Sequence, residues 1–151
     1  MTGSLYNTIV VGVDGTKYIR KAVNTAVGLA KLTGAKLYAV YVSDASYVVP
    51  INGEWELISD KLQIEAEAAF EFVRDRAGAE GIDFETVSLS GAPAQEIVQY
   101  ADLVGADLIV VGAAGKKAIE RLILGSVSEK VVRSSKQQVL VVRCNAAEPD
   151  K

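Results

Sequence analysis

Three glycines and two serines in the second half of the chain have the spacing of a phosphate-binding turn. Gly112 and Gly115 lie three residues apart after an apolar run, and Gly125 and Ser126 follow after nine further residues. Glycine lets a ligand approach the main chain closely, and the first amide groups of a helix have no acceptor within that helix. Such amides bind phosphate well. We therefore expect a phosphate cradle here, to which the hydroxyls of Ser126 and Ser128 add donors.

This glycine pattern differs from the two common nucleotide-binding loops. A P-loop requires Gly-x4-Gly-Lys-Ser/Thr and a dinucleotide fold requires Gly-x-Gly-x-x-Gly, and neither describes this stretch. Strand-end glycines also occur in α/β proteins that bind no phosphate, in which case Ser128 would only cap the following helix. The spacing alone leaves both interpretations open.

The residue types present exclude several classes of site. The chain has no histidine and a single cysteine, Cys144. Catalysis by Ser-His-Asp or Cys-His groups and zinc binding by histidine are therefore excluded. A metal ion would be a hard cation bound by oxygen atoms and shared with a ligand. The net charge of −3 argues against nucleic acid as the main partner.

The hydropathy of the chain and its N-terminal residues indicate where in the cell the protein is expected. No apolar run is long enough to span a membrane, and the first residues do not resemble a signal peptide. We therefore expect a cytoplasmic protein that has no membrane partner.

The elements that must position these residues alternate in type along the chain. Unbroken apolar runs predict buried strands, the alternating residues 84–89 predict a further strand, and apolar residues at intervals of three and four predict helices between them. The 151 residues are expected to form one α/β domain over 1–144, followed by a flexible polar tail at 145–151. The predicted strands are 8–13, 37–42, 84–89, 108–111 and 139–142, and the predicted helices are about 19–33, 56–77, 93–104 and 128–134.

Strand order decides whether the two glycine-bearing turns meet. In a doubly wound parallel sheet, ligands bind at the carboxyl ends of the strands where the winding direction reverses. With the order 3-2-1-4-5, this point falls between the first and fourth strands, so the turn 12–15 faces the loop 112–115. Asp14 would then lie beside the phosphate cradle, where its carboxylate either contacts a ligand or stabilises its own Asp-Gly turn.

The longest connection, residues 43–55, carries several apolar side chains. A loop of this length in a small domain often serves as a lid or a partner surface. The same side chains could instead form a cluster packed against the following helix, and the two interpretations have equal support. The apolar residues are Tyr47, Val48, Val49, Ile51 and Trp55.

Taken together, these motifs resemble a known family. The Gly-x2-Gly-x9-Gly-Ser pattern of residues 112–126 follows an Ile-Val-Val strand and precedes Val-Ser-x-x-Val-Val. In this it resembles the ATP-binding signature of the universal stress protein family. Residues 9–15 are similar to the family's first strand and turn, and residues 139–142 are similar to its last strand. The resemblance covers residues 8–143.

The resemblance implies a Rossmann-like domain with five parallel strands in the order 3-2-1-4-5. It also implies that adenine lies near Asp14 and Val42 and that ribose lies near Gly112 and Ala113. The phosphates would lie at 115 and 125–128, with Mg²⁺ or Mn²⁺ bound through their oxygen atoms. The implied nucleotide-binding residues are Gly12, Val13, Asp14, Val42, Val111, Gly112, Ala113, Gly115, Gly125, Ser126, Val127 and Ser128.

For function, the resemblance implies an ATP-binding protein that acts as a switch or sensor in a stress response, with AMP or ADP as other candidate ligands. It implies a homodimer formed through the edge strand 139–142 and an unidentified protein partner. Asp14 is the only acid placed near the site, and no general base is evident. Hydrolysis of ATP is therefore expected to be slow at most, and a dedicated enzyme is not expected.

Two departures from the family pattern keep rival functions open. ATP-binding relatives often have proline at the position of Gly12 and a polar residue between the signature glycines, where this chain has Ala113 and Ala114. One alternative is a dimeric interaction protein of the same fold that binds no nucleotide. A lower-ranked alternative is an enzyme of a related nucleotide-binding α/β family, such as an adenylating ligase or an electron-transfer flavoprotein subunit, for which the chain leaves little room.

Overall fold

One parallel sheet organises the described part of the chain. The computed structural model describes residues 4–43, 55–113 and 124–143, and within these ranges five strands form one sheet in the order β3-β2-β1-β4-β5. Every neighbouring pair is parallel. The predicted fold class and strand order are therefore confirmed. The strands are β1 (Thr8–Val13), β2 (Lys36–Ser43), β3 (Phe84–Ser90), β4 (Leu108–Gly112) and β5 (Gln138–Val142).

Helices cover both faces of the sheet. Helices α1 and α2 pack on one face, and α3 and α4 pack on the other. A short 3₁₀ turn, Lys17–Ile19, leads into α1. Among the helices of the described ranges, none is both long and apolar enough to cross a membrane. The helices are α1 (Arg20–Thr33), α2 (Trp55–Glu80), α3 (Pro93–Val104) and α4 (Ser126–Ser134).

The central strands are buried on both faces, which explains their unbroken apolar sequence. In β1, Ile9 and Val11 pack with α1 and α2, whereas Val10 packs with α3 and α4. All three side chains are 0% exposed. Because successive strand residues point to opposite faces, each face needs its own apolar residues. The helices supply Val23 and Val73 to the first layer and Ile97 and Val131 to the second.

Two helix boundaries differ from the predicted ones. Helix α2 continues to Glu80 and passes through Gly78 without interruption, whereas the sequence predicts an end near 77. The helix ends where Gly81 takes a φ of 67°, a left-handed conformation that glycine adopts without strain. Helix α4 begins at Ser126, two residues earlier than predicted, with Gly125 as its N-cap residue.

Candidate functional site

The carboxyl edge of the sheet brings the two predicted turns together. Strands β1 and β4 are neighbours, with Ile9 opposite Leu108 and Val11 opposite Val110. After β1 the chain continues into α1 on one face, and α4, which follows β4, lies on the other face. The winding direction therefore reverses between these two strands. This is the position at which doubly wound sheets bind ligands.

Asp14 is held in a defined orientation by the turn that follows β1. Its Oδ1 accepts hydrogen bonds from the Thr16 N–H at 2.8 Å and from the Thr16 hydroxyl at 2.6 Å. Asp14 is half-buried. Both bonds fall on one oxygen, and a carboxylate offers acceptor positions on each of its two oxygens. The turn-stabilising role is therefore observed, and Oδ2 retains the capacity to accept a hydrogen bond from a ligand.

A tyrosine–glutamate pair lies next to this turn, and the sequence does not reveal it. The Tyr41 hydroxyl, at the end of β2, donates to Glu65 Oε2 on α2 at 3.0 Å. Burial raises the pKa of Tyr41 to about 12, and the hydrogen bond to Glu65 and the charges of Glu65 and Asp14 add to the shift. A Cβ built on Gly15 would lie 3.8 Å from the Glu65 Cβ. Glu65 therefore borders the Asp14 turn from the α2 side.

The predicted site residues within the strands have mostly buried side chains, so it is mainly their backbone that lies at the carboxyl edge. Val13 and Val111 are 7% and 3% exposed and belong to the two core layers. Gly12 is also buried, and a Cβ built on it would lie 2.9 Å from Ile97 Cδ1 of α3. The absence of a side chain at Gly12 thus lets α3 pack closely on β1. Val42 is half-buried at the end of β2.

Ala113, just beyond β4, has all of its main-chain polar groups engaged. Its N–H donates to the Val142 carbonyl oxygen of β5 at 2.9 Å. Its carbonyl oxygen accepts the Gly125 N–H at 2.6 Å and the Ser128 hydroxyl at 3.1 Å. A ligand can therefore contact Ala113 through its methyl group, whereas the half-buried Gly112 beside it carries no side chain at all.

The beginning of α4 supplies amide groups at the same edge. The N–H of Glu129 donates to the Gly125 carbonyl oxygen at 3.0 Å. The amides of Ser126, Val127 and Ser128 precede this bond, and helix geometry gives such amides no acceptor one turn earlier in the helix. The side chain of Ser126 is exposed, whereas Ser128 is only 2% exposed. The N-terminus of a helix also carries a partial positive charge, which favours an anion.

Parts of the predicted site fall outside the described residues. Gly115 and Ala114 of the signature lie there, as does nearly all of the predicted lid, residues 44–54. In the ranges that are described, no group of three or more histidine, cysteine, aspartate or glutamate side chains could hold a metal ion. The described ranges do bring together the Asp14 turn, the end of β4 and the start of α4.

Comparisons with known proteins agree with this architecture. The model of the universal stress protein family matches residues 5–143. A universal stress protein of Methanocaldococcus jannaschii is 42% identical over 142 residues, covering 93% of this chain and 84% of that protein.

Two solved structures of similar proteins contain nucleotides. A crystal structure of a universal stress protein in complex with cAMP has a TM-score of 0.70 and 34% identity, covering 93% of this chain and 98% of that one. A universal stress protein of Archaeoglobus fulgidus in complex with dAMP has a TM-score of 0.68 and 27% identity, covering 91% and 98%. With a family match over nearly its whole length, the chain belongs to the universal stress protein family.

Proposed function

We propose that this protein binds an adenine nucleotide at the carboxyl edge, between the Asp14 turn and the start of α4. The observation that carries the proposal is the position of the Ser126, Val127 and Ser128 amides at the point where the winding reverses. The complexes of two relatives with cAMP and dAMP support an adenine nucleotide as the ligand class.

In this proposal each part of the nucleotide has its own neighbours. The phosphates lie against the amides of Ser126, Val127 and Ser128 and the exposed Ser126 hydroxyl, together with Gly115 and Gly125 of the signature. Adenine lies near Val42 and Asp14, whose Oδ2 can accept a hydrogen bond from an amino group. Ribose lies near Gly112 and Ala113. We propose ATP as the ligand, with AMP and ADP as alternatives, and Mg²⁺ or Mn²⁺ bound through the phosphate oxygens.

We propose a switch or sensor rather than a dedicated enzyme. The chain has no histidine to act as a general base. The two acids at the described part of this edge, Asp14 and Glu65, already accept hydrogen bonds from Thr16 and from the Tyr41 hydroxyl. Both facts support slow hydrolysis of ATP at most. We also propose that residues 1–144 act as one domain and that two copies pair through β5.

Charge at Ser126 tests the phosphate part of this proposal. Ser126→Asp places a carboxylate on the first residue of α4, where it interacts favourably with the helix dipole but repels phosphate. Ser126→Asn has a similar shape and no charge. In titration calorimetry we expect the aspartate variant to bind ATP at least about tenfold more weakly than the asparagine variant, a difference of about 1.4 kcal/mol. Both variants should bind adenosine alike.

Two results would count against the proposal. One is a wild-type protein that binds neither ATP, ADP nor AMP in the presence of Mg²⁺. The other is equal affinity of the two variants for ATP, because a carboxylate at the start of α4 would repel a phosphate bound there. A thermal melt of both variants, expected within a few degrees of wild type, shows that any difference comes from binding rather than folding.

A second candidate, an interaction protein that binds no nucleotide, is favoured by one observation. The polar groups of Ala113 and Oδ1 of Asp14 are already hydrogen-bonded within the protein. These parts of the edge therefore need no ligand to be satisfied. A wild-type protein that purifies without nucleotide, shows no thermal shift with millimolar ATP or AMP, and still forms dimers would select this candidate.

A further inference from the structure

Ser128 carries a hydroxyl that is buried yet lies beside the proposed phosphate site. The residue is 2% exposed, and its Oγ lies 3.1 Å from the Ala113 carbonyl oxygen and 3.0 Å from the Gly125 carbonyl oxygen. A serine hydroxyl has one hydrogen to donate. That hydrogen is directed at carbonyl oxygens of the protein, so it is not available to a phosphate while these contacts last.

The Ala113 carbonyl oxygen is the point where two segments are joined. It accepts the Gly125 N–H at 2.6 Å as well as the Ser128 hydroxyl, and the Ala113 N–H is bonded to the Val142 carbonyl oxygen. These bonds connect the end of β4 to both β5 and the first turn of α4. They hold residues 113 and 125 together at the two ends of the signature loop. The orientation of the first α4 amides relative to the sheet edge therefore depends on this connection.

We propose that Ser128 is a positioning residue that orients the amides of Ser126, Val127 and Ser128 toward the phosphates, rather than a phosphate ligand through its hydroxyl. The inference rests on the proposed function, since it assigns a role within that site. Loss of the hydroxyl removes one of the two bonds to the Ala113 carbonyl oxygen. The first turn of α4 then moves more freely against β4, and ordering it on binding costs affinity.

In α4, the hydroxyls of Ser128 and Ser134 donate to backbone carbonyl oxygens. Variants of both residues separate a positioning role of Ser128 from a general effect on helix stability. Ser128→Ala removes the buried hydroxyl, and Ser128→Thr restores it. Ser134→Ala is the matched control, because the Ser134 hydroxyl donates to the Lys130 carbonyl oxygen at 2.6 Å at the opposite end of the helix. Ser128→Cys keeps the side-chain volume with a weak donor and serves if the alanine variant does not fold.

The first measurement needs no nucleotide. In ¹H–¹⁵N spectra of the free protein, we expect Ser128→Ala to shift the Gly125 amide proton upfield and to speed its solvent exchange at least about fivefold, as loss of about 1 kcal/mol of local stability predicts. Ser134→Ala should leave this amide unchanged.

The second measurement is the affinity for ATP and for adenosine by calorimetry. We expect Ser128→Ala to bind ATP about tenfold more weakly and adenosine within about twofold of wild type, and Ser128→Thr to recover most of the loss. Equal ATP affinity of Ser128→Ala and wild type would overturn the inference and leave the proposed function intact. So would a folded Ser128→Thr that binds as weakly as the alanine variant. A wild type that binds no adenine nucleotide contradicts the proposed function itself, and the role of Ser128 in binding falls with it.

Discussion

Single residues at the carboxyl edge make hydrogen bonds within the protein, and some keep polar groups that can still bind a ligand. Asp14 accepts two bonds on Oδ1, and the Tyr41 hydroxyl donates to Glu65 beside it. Ser128 uses its hydroxyl within the protein, whereas the side chain of Ser126, two residues earlier, is exposed. The edge is thus hydrogen-bonded before any ligand arrives. Preorganised groups of this kind reduce the cost of ordering the site on binding.

Tyr41 makes stability depend on pH in the alkaline range. Its pKa is raised from 10.0 to about 12 in the folded chain. Between these values the unfolded chain loses the proton and the folded chain keeps it, so the folded state binds more protons and the free energy of unfolding falls as pH rises. This stabilisation is complete below pH 10 and is lost as pH passes through 12.

Tyr41→Phe tests this dependence and the bond to Glu65. We expect the variant to lose about 0.5–1.5 kcal/mol near neutral pH, the usual net value of such a hydrogen bond. We also expect its urea midpoint to fall less than that of wild type between pH 10 and pH 11. The tyrosine that titrates with a pKa of about 12 should be missing from the variant's absorbance titration. Identical pH profiles of the two proteins would contradict the assignment.

At the scale of single residues, the sequence predicts where a residue lies in the fold better than it predicts which hydrogen bonds its side chain makes. Asp14 lies at the carboxyl edge because it directly follows a predicted strand, and Gly112 lies there because it ends another. Glu65 is not predictable in this way, because its contact with Tyr41 depends on how α2 is rotated and packed against β2. The Ser128 contact with Ala113 likewise depends on a helix start two residues earlier than the sequence indicates.

At the scale of elements, one glycine inside α1 and another directly after it affect the stability of the helix in opposite ways. Gly34 ends the helix with a φ of 75°, whereas Gly28 lies inside it, and neither would bring an added Cβ within 4 Å of another atom. Steric fit therefore does not distinguish the two positions. The backbone conformation does, because a left-handed residue with a Cβ is strained while a helical glycine is less favourable than alanine.

We expect the two alanine substitutions to change stability in opposite directions. Gly34→Ala should lower the free energy of unfolding by roughly 1–2 kcal/mol. Gly28→Ala should raise it by roughly 0.5–1 kcal/mol. Urea unfolding followed by circular dichroism measures both. A Gly34→Ala variant as stable as Gly28→Ala would show that Gly34 does not hold the left-handed conformation in solution.

The predicted boundary of a helix is correct where a single proline or glycine determines it. Proline begins α3 at Pro93 as predicted, and Thr33–Gly34 ends α1 as predicted. The predicted end of α2 was wrong because a glycine on an exposed helical surface costs only about 1 kcal/mol, so Gly78 is tolerated and the helix continues to Glu80. The start of α4 was wrong because Gly125, rather than a serine, occupies the N-cap position.

For the whole molecule, β5 is an edge strand of the sheet among the described residues. Val139, Leu140 and Val141 are half-buried there, and an apolar edge invites pairing with another chain. The Val142 carbonyl oxygen accepts a bond from Ala113 next to β4. Polar groups of successive strand residues point to opposite sides, so those of Val141 point away from β4 and toward the proposed partner.

Proline substitutions at neighbouring positions test the proposed dimer. Val141→Pro removes an outward N–H, whereas Leu140→Pro removes one that faces β4. By sedimentation we expect wild type at micromolar concentration to show twice the chain mass of 16.0 kDa and Val141→Pro to show the mass of one folded chain. Leu140→Pro should instead lose stability by about 3 kcal/mol or more. A wild type of single-chain mass would contradict the dimer.

The fold as a whole could be predicted from the alternation of strands and helices, because buried β-branched runs have few other stable arrangements. The strand order followed from the family resemblance and from the need to bring two turns to one edge. The role of the 43–55 connection stays a prediction, with nearly all of its residues outside the described ranges. Periodicity does not determine whether such a segment covers a ligand or packs on a helix.

The most direct test of the proposed site is a ¹H–¹⁵N titration of the wild-type protein with ATP and Mg²⁺. We predict that amide shifts concentrate at the carboxyl edge, in residues 13–15, 112–113 and 125–128. The amides of Asn7 and Asp107, which are hydrogen-bonded at the opposite edge, should stay in place. Absence of shifts at millimolar ATP, ADP or AMP, or shifts concentrated at the opposite edge, would contradict the account.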